Sequence, residues 1–385
     1  MAEKDQDKKI MLMYASAGAG HKIACRAIEQ ALISNNFKGK IKTVDTLEYM
    51  PGFIAGLFSK GYLWAATKTP SLWYAIYEAG SNLSRFKPMS DWQNALMKIL
   101  MRRVNHLLVE EKPDYIISAY FTSSWLAGRY KRLYNPYCRV ATVVTDYGLH
   151  TTWIMPNQDR YFVATEDNQI EMAAFSHHTG VDLSNIIVSG IPVEERFTTP
   201  KDKHQLKLKY GLDPDRFTVL ILAGVYGPEH VESLINRLSE CQSKIQIVVV
   251  AKAVFGLNGN IKQKLETKDI SYQGYGKISF MEELMAASDV AITKTGGLTS
   301  SECFNSGCPL LVYLPYPGQE ERNASLFMEQ GAAWRIYQLE SLAHKIDLLA
   351  SNPEKHQAMI ESAGKVIKRD SAAKIAKTVM ADLGL

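Results

Sequence analysis

The chain has 385 residues, of which 46% are hydrophobic and 22% are charged, and its net charge is +4. That length is too great for one ordinary α/β core and predicts two domains, while so small a net charge argues against a nucleic-acid-binding protein. The five cysteines are scattered and none belongs to a CxxC pair, which indicates reduced, buried thiols in a cytosolic protein rather than a disulfide framework or a metal site.

Both halves of the chain alternate strand-like and helix-like segments, which is typical of parallel-sheet α/β layers. In the first half the predicted strands are Ile10–Ala15, Ile41–Asp45, Tyr115–Ser118, Arg139–Thr145 and Arg160–Ala164. In the second half they are Thr218–Leu222, Ile245–Val250, Ile270–Gln273, Val290–Lys294 and Leu310–Leu314. We predict two doubly wound α/β domains that face a cleft, with ligands at the carboxyl ends of the strands.

The stretch "SGIPVEERFTTPKDK" reads as a linker because it contains Gly190, Pro192 and Pro200. We therefore predict domains at residues 1–192 and 193–385, with the last helix returning toward the first domain. No apolar signal peptide follows the charged residues at the start of the chain. No window reaches the roughly 18 uncharged residues that a transmembrane helix needs, so the protein is expected to lie on a membrane at most, not to cross it.

The first predicted strand runs into the glycine-rich turn "SAGAGH". Gly18 and Gly20 fill two places of a G-x-G-x-x-G dinucleotide fingerprint, but the third place falls on Ile23. Asp45, at the end of the second strand, lies where such a site has its ribose-binding acid, so a dehydrogenase stays open. That interpretation leaves His21 unexplained, since an imidazole beside such a turn suggests proton transfer.

A second motif, "TKTGGLTSSECFNSGCPLLVYLPYPGQEERNAS", covers residues 293–325. After the predicted strand, the turn and helix start contain small and hydroxyl residues: Gly296, Gly297, Thr299, Ser300 and Ser301. The free N–H groups of such a helix start suit a pyrophosphate, and Lys294 adds positive charge. Glu302 could accept hydrogen bonds from a ribose diol, and Gln319 with Glu320 suits sugar hydroxyls. The order of these groups predicts a nucleotide-sugar pocket.

Residues 50–88 interrupt the alternation with aromatic and apolar residues and interleaved Lys and Arg side chains. This composition is typical of a segment that lies in a membrane interface, where the basic residues favour anionic lipid. The residues that we expect to contact membrane are Phe53, Phe58, Trp64 and Trp73. A helical pair packed on the core is the alternative, because aromatic residues at helical spacing are more often buried.

Several motifs, in this order along most of the chain, resemble those of one enzyme family. They read "SAGAGH", "TDYGLHTTW", "DRYFVATE", "GIPVEERF", "TKTGGLTSSE" and "PGQEERNA". The chain resembles the monogalactosyldiacylglycerol synthase and processive diacylglycerol glucosyltransferase family, to which MurG is a more distant relative. The resemblance implies a GT-B fold with an N-terminal acceptor domain and a C-terminal donor domain.

The resemblance also implies the reaction and its partners. It implies inverting transfer of a hexose from a UDP-sugar, UDP-glucose or UDP-galactose, to diacylglycerol or a glycosyl-diacylglycerol. It implies a monotopic enzyme bound to an anionic membrane surface, which we expect to be the cytoplasmic face, and no nucleic acid. We expect neither a cofactor nor a metal, because the helix start near Thr299 and Lys294 would stabilise the leaving diphosphate.

The first turn of the second half, "LAGVYGPE", departs from the family, which usually has a run of glycines there. Gly224 and Gly227 remain, but Val225 and Tyr226 add bulk where a phosphate or sugar would rest. After the next strand the family prefers Gly-Lys-Asn, whereas this chain keeps only Lys252. These differences leave the sugar open and keep a non-catalytic nucleotide-sugar-binding relative as an alternative.

The predicted catalytic residues are His21, Asp146 and His150. His21 would take the proton of the acceptor hydroxyl, and Asp146 or His150 would orient His21 or the acceptor. The glycines of the opening turn, Gly18 and Gly20, would let that hydroxyl approach the backbone. The predicted donor-binding residues are Gly224, Gly227, Lys252, Phe280, Lys294, Gly296, Gly297, Thr299, Ser300, Ser301, Glu302, Gln319, Glu320 and Asn323. A UDP-sugar epimerase of the same fold remains an alternative to the transferase.

Overall fold

The computed structural model describes residues 7–16, 18–56, 69, 71, 74, 90–254 and 256–385. It divides into two compact units. The first unit comprises the described residues up to Glu195 together with Tyr316–Gln319 and Lys368–Leu385. The second unit comprises Arg196–Pro315 and Glu320–Ile367. The chain therefore returns to the first unit after completing the second.

In the described residues the first unit contains a six-stranded sheet. Its strands are β1 (Lys9–Tyr14), β2 (Lys40–Asp45), β3 (Tyr115–Ser118), β4 (Arg139–Val143), β5 (Arg160–Val163) and β6 (Ile186–Val188). They lie in the order β2-β1-β3-β4-β5-β6, and all pairs are parallel. The order reverses between β1 and β3, so the carboxyl ends of these two strands border the point at which doubly wound sheets bind ligands.

Helices cover both faces of this sheet. In chain order those up to Glu195 are α1 (Ala19–Ser34), α2 (Gly52–Gly56), α3 (Asp91–Leu100), α4 (Arg102–Glu111), α5 (Phe121–Leu133), α6 (Glu166–Ala173) and α7 (Ser176–Thr179), with α8 (Glu195–Thr198) at the passage to the second unit. Alternate residues of β1 enter opposite cores, since Met11 and Met13 pack on one face and Ile10 and Leu12 on the other. Burial on both faces explains why this strand is a continuous apolar run after Lys9.

The last helix, Ser371–Asp382, belongs to the first unit. Its residues Ile375 and Val379 pack in the same buried cluster as Ile28 and Leu32 of α1. At its end the Asp382 carboxylate accepts two hydrogen bonds from the Arg160 guanidinium and a third, 2.9 Å long, from the Tyr115 hydroxyl. Apolar packing and a partly buried ion pair thus hold this helix against the first sheet.

The described residues of the second unit form a second six-stranded parallel sheet. Its strands are β7 (Phe217–Leu222), β8 (Ile245–Val250), β9 (Ser271–Tyr275), β10 (Val290–Thr293), β11 (Leu310–Val312) and β12 (Ala333–Arg335). The order is β12-β11-β10-β7-β8-β9, which reverses between β7 and β10. This is the strand order of a nucleotide-binding Rossmann sheet, and its ligand crevice lies outside the carboxyl ends of β7 and β10.

The helices of the second unit continue the numbering to the end of the chain. They are α9 (Lys203–Lys209), α10 (Pro228–Leu238), α11 (Gly259–Thr267), α12 (Met281–Ala287), α13 (Gly297–Asn305), α14 (Gln319–Glu329, whose first residue falls in the first unit), α15 (Leu342–Ala350) and α16 (Pro353–Val366), and the last helix of the first unit is α17. The apolar side of α10 packs Val231, Leu234 and Leu238 against the buried residues of β7 and β8.

The predicted fold class is confirmed, and each predicted strand is present with its ends shifted by two residues at most. Two strands, β6 and β12, were not predicted. Each has three residues and lies at the edge of its sheet, so neither is long enough to show an alternating pattern. All five cysteines are buried free thiols, as predicted.

The predicted membrane segment is only partly described. Phe58, Trp64, Trp73 and the side chain of Phe53 lie outside the described residues. Across the ranges given above, no helix has the length and apolar character needed to span a bilayer.

Candidate functional site in each unit

The opening turn of the first unit is held against the end of β2. The Asp45 carboxylate accepts hydrogen bonds from the backbone N–H of Ser16, at 3.2 Å, and from that of Leu47, at 3.0 Å. These contacts give Asp45 a structural role that needs no ribose. Helix α1 begins at Ala19, and its preceding residue Gly18 is exposed and has no side chain to cap the helix.

His21 lies in the first turn of α1 and is half-buried. Its Nδ1 is 3.1 Å from the Thr145 hydroxyl, and its ring contacts the edge of Tyr120 with centroids 4.9 Å apart. Burial lowers the pKa of His21 to about 4, although a hydrogen bond to the Ala119 backbone opposes that change. The imidazole is therefore neutral at pH 7, which is the form that can accept a proton.

Thr145 and Tyr120 are contacts of His21 that sequence reasoning missed. Tyr120 follows the end of β3, Thr145 follows the end of β4, and His21 lies on the helix that follows β1. These three strands are neighbours in the sheet, which brings the three residues together. The available signal was position, because each residue comes within two positions of the end of a buried strand.

The two other predicted catalytic residues are buried and take part in local structure. Asp146 accepts a 3.0 Å hydrogen bond from the Trp153 indole, and its charge contributes, after burial, to raising the pKa of Tyr120. His150 Nδ1 accepts a 3.1 Å hydrogen bond from the Thr152 backbone and so caps the short helical turn Thr151–Trp153. These contacts account for both side chains structurally, and their role in orienting His21 stays a prediction.

In the second unit, β10 leads into the start of α13. Gly296 precedes this helix with no side chain to cap it, and Gly296 and Thr299 are both partly exposed. The Ser300 hydroxyl is buried and has no hydrogen-bond partner among the described residues. Ser301, by contrast, donates a 2.8 Å hydrogen bond to the Gly297 carbonyl inside the helix. The N–H groups at a helix start have no partner within the helix and favour an anion.

Lys294 is only 7% exposed and follows the end of β10. Its ammonium nitrogen lies 5.5 Å from the centroid of the Tyr226 ring. Burial lowers the pKa of Lys294 to about 8, and the nearby Glu320 carboxylate opposes that change. Glu320 also approaches the helix start, with Oε1 3.8 Å from the position that a Cβ would take at Gly296. A buried cation, a carboxylate and an open helix start thus meet at the strand reversal.

The loop after β10 is fixed by α14. The Thr295 hydroxyl donates to the Glu320 carbonyl, and the buried Asn323 side chain donates a 2.8 Å hydrogen bond to the Thr295 carbonyl. Asn323 therefore has a positioning role in the described structure. Phe280 likewise contributes to packing, since its ring stacks on Tyr210 with centroids 5.0 Å apart.

The remaining predicted donor residues differ in burial and in the unit to which they belong. Glu302 is buried within α13, whereas Lys252 and Gly224 are exposed. Gly227 precedes α10, and Gln319 begins α14 but belongs to the first unit. Sequence reasoning treated Tyr226 only as added bulk and missed its contact with Lys294. Across the described ranges, no three His, Cys, Asp or Glu side chains gather in a way that could hold a metal ion.

An exposed apolar stripe follows the predicted membrane segment in the sequence. On α3, Trp92 is 68% exposed, Leu96 46% and Ile99 72%, while Met97 and Leu100 on the other side are buried. The spacing of i, i+4 and i+7 places the exposed three along one face. This helix therefore buries one apolar face in the core and presents a second to its surroundings.

Comparison with known proteins assigns a family to each half of the chain. The family model of monogalactosyldiacylglycerol (MGDG) synthase matches residues 21–193, and the model of the glycosyltransferase family 28 C-terminal domain matches residues 218–379. The chain belongs to the glycosyltransferases that combine an MGDG synthase domain with a family 28 C-terminal domain. A processive diacylglycerol β-glucosyltransferase from Bacillus pumilus (strain SAFR-032) is 27% identical over 97% of this chain and 95% of its own length.

Solved structures confirm the GT-B fold of this family member. The crystal structure of Acinetobacter baumannii MurG has a TM-score of 0.61 and 14% identity, with 97% of this chain and 99% of that chain covered. A UDP-GlcNAc 2-epimerase from Neisseria meningitidis, bound to UDP-GlcNAc, has a TM-score of 0.58 and 15% identity, with 97% and 100% covered. At such identities the likeness concerns the fold alone, so the family assignment, not the fold, favours a transferase over an epimerase.

Proposed function

We propose that this protein transfers a hexose from a UDP-sugar to diacylglycerol or a glycosyl-diacylglycerol at the surface of a membrane, with inversion at the anomeric carbon. The observation that supports the donor is the open start of α13 beside the buried Lys294, at the reversal point of a Rossmann sheet. The curated relative of nearly equal length, a diacylglycerol β-glucosyltransferase, supports the lipid acceptor and makes UDP-glucose the donor that we expect.

The second unit would bind the donor through its diphosphate. The N–H groups at the start of α13 and the Lys294 ammonium would meet the negative charge that grows on the β-phosphate as the glycosidic bond breaks. Glu302 would accept hydrogen bonds from the ribose, and Glu320 and Gln319 from the sugar. Because protein groups supply the positive charge, we propose that transfer needs no metal, and EDTA should leave the rate unchanged.

The first unit would supply the base through His21. With Nδ1–H donating to the Thr145 hydroxyl, Nε2 would be the atom that accepts the proton. The acceptor oxygen forms its bond to the anomeric carbon while its proton passes to His21, and UDP leaves with the electrons of the broken bond. The pKa of His21 in the protein without substrate is about 4. We therefore expect kcat/KM to fall as pH drops below about 4, which is well below the ordinary histidine range.

Transfer of a sugar to diacylglycerol requires access to lipid, and we propose that the first unit reaches the cytoplasmic face of the membrane with α3 and residues 50–88. The exposed stripe of Trp92, Leu96 and Ile99 suits the acyl boundary, and the exposed cations Lys98 and Arg102 beside it suit anionic headgroups. Replacing the three apolar residues with Ser should lower cosedimentation with anionic vesicles at least tenfold. Ile170→Ser, which removes an apolar residue 67% exposed on α6, is the control and should bind as the unchanged protein does.

The transfer itself is tested by incubating the protein with diacylglycerol vesicles and UDP-glucose, UDP-galactose or UDP-N-acetylglucosamine, followed by mass analysis of lipid and nucleotide. We expect hexosyl-diacylglycerol, with glucose preferred. His21→Gln should lower the rate by about 10²–10⁴-fold while UDP binds as before. Conversion of the UDP-sugar into its epimer without lipid would identify an epimerase, and UDP binding without any product would identify a non-catalytic relative.

A further inference from the structure

The turn between β7 and α10 carries an aromatic side chain, Tyr226, that reaches the end of β11, two strands away in the sheet. Its hydroxyl donates a 2.7 Å hydrogen bond to the backbone carbonyl of Tyr313, which follows β11. The two rings lie 5.5 Å apart, and the Tyr313 hydroxyl is 3.5 Å from Nδ1 of His230 on α10. Tyr226 is thus anchored at both its ring and its hydroxyl rather than free to turn away.

The face of this anchored ring is occupied by the Lys294 ammonium, 5.5 Å from the ring centroid. A cation within about 6 Å of an aromatic centroid is attracted by the negative face of the ring, and the attraction is stronger where water is excluded. Water is largely excluded here, because Lys294 is 7% exposed. The titratable groups around the ammonium are Glu320 at the start of α14, Tyr226 itself and, behind Tyr226, Tyr313 with His230.

We infer that Tyr226 is a positioning residue for the donor site, which keeps Lys294 charged and fixed beside the start of α13. The inference rests on the proposed function in that it assumes the diphosphate of the donor as the ligand of Lys294. It assigns a role to the residue that breaks the glycine-rich pattern of this turn. The hydroxyl secures the ring, and the ring secures the ammonium.

The consequence is measurable because the pKa of Lys294 is already low, at about 8. At pH 8 about half of the molecules then carry the charge. Removing the ring removes a contact that favours the charged form, so the pKa falls further. A fall of about one pH unit would leave roughly one molecule in ten charged at pH 8. Phe keeps the ring and loses only the hydroxyl bond to Tyr313, so Tyr226→Phe separates the two contributions.

The test measures UDP binding by calorimetry between pH 7 and 9.5 in the unchanged protein, Tyr226→Phe, Tyr226→Leu and Lys294→Met. Affinity should fall with a midpoint near pH 8 in the unchanged protein and in Tyr226→Phe. In Tyr226→Leu the midpoint should move down by about half a unit or more, and in Lys294→Met the pH dependence should vanish. Equal midpoints in the Leu variant and the unchanged protein, or an equal shift in the Phe and Leu variants, would overturn the inference.

A second measurement without ligand separates this inference from the proposed function. ¹⁵N NMR of lysine side chains, assigned with Lys294→Met, reports the pKa of Lys294 in the free protein. A lower pKa in Tyr226→Leu, restored in Tyr226→Phe, supports the role of the ring whether or not UDP binds. If that shift is present and calorimetry shows no UDP binding, the proposed donor is wrong. If the pKa is the same in all proteins, the role of Tyr226 is wrong.

Discussion

Lys294 should destabilise the folded chain in the absence of a ligand, and Lys294→Met should therefore stabilise it. Burial lowers the pKa of Lys294 from 10.5 to about 8, so the protonated, charged form is less favourable in the folded than in the unfolded chain. At about 1.4 kcal/mol per pH unit, this difference amounts to roughly 3 kcal/mol at pH 7. Methionine has nearly the same length and no charge, so it removes this destabilisation and keeps the packing.

The stabilisation by Lys294→Met should be smaller than the roughly 3 kcal/mol worked out above, because Glu320 loses its cationic neighbour. Glu320 is partly exposed, however, and water can solvate it, so we expect a net stabilisation of about 1–3 kcal/mol. The sign follows from proton binding. Between pH 8 and 10.5 the unfolded chain binds more protons at this lysine than the folded chain, so the unchanged protein gains stability as pH rises and the advantage of the variant disappears.

Hydrogen exchange of the β7 and β10 amides, followed by mass spectrometry, measures the stability of the second unit without unfolding the first. Lys294→Met should slow exchange in these strands at pH 7, and the difference should shrink above pH 8. Lys268→Met, at an exposed lysine of the same unit, is the matched control and should change nothing. Unchanged or faster exchange in Lys294→Met at pH 7 would refute the reasoning.

Three further changes test other parts of the structure. Burial lowers the pKa of His21 to about 4, so below pH 6.5 the unfolded chain binds more protons than the folded chain. The free energy of unfolding should therefore fall by up to roughly 3 kcal/mol between pH 6.5 and pH 4. Urea titrations at pH 7 and pH 4.5 should show a smaller fall in His21→Gln. Asp382→Ala removes the charged partner of the partly buried Arg160 and should destabilise the first unit by about 1–3 kcal/mol, seen as faster exchange in β1 but not in β7. Glu302→Gln should weaken UDP binding in calorimetry, whereas unchanged affinity would remove this residue from the donor site.

Much of the fold follows from the sequence because buried parallel strands are continuous apolar runs. The run from Val290 to Thr293 could be located for this reason, and the glycines after it mark the helix start. The three-residue edge strands could not be located, since so short a segment shows no period. They depend on pairing with a neighbouring strand already in place.

The candidate sites were predicted less completely, because their contacts depend on tertiary structure. Sequence reasoning singled out His21 and Lys294 from their positions after strands. It could not find Thr145 or Tyr226 as their partners, because those contacts join strands that are distant in the chain. His150 was chosen for its chemistry, yet its Nδ1 caps a local turn, a contact that spans two residues and that no spacing rule distinguishes from catalysis.

The return of α17 to the first unit has a consequence for synthesis on the ribosome. The face of α1 that includes Ile28 and Leu32 emerges early, but the helix that covers it is made after residues 196–367. At about 5–20 residues per second, those 172 residues take on the order of ten to thirty seconds to translate. By the end of that interval the second unit is complete, while the first still exposes apolar surface that a chaperone would recognise. The half that appears first in the sequence is thus the half whose core is completed last.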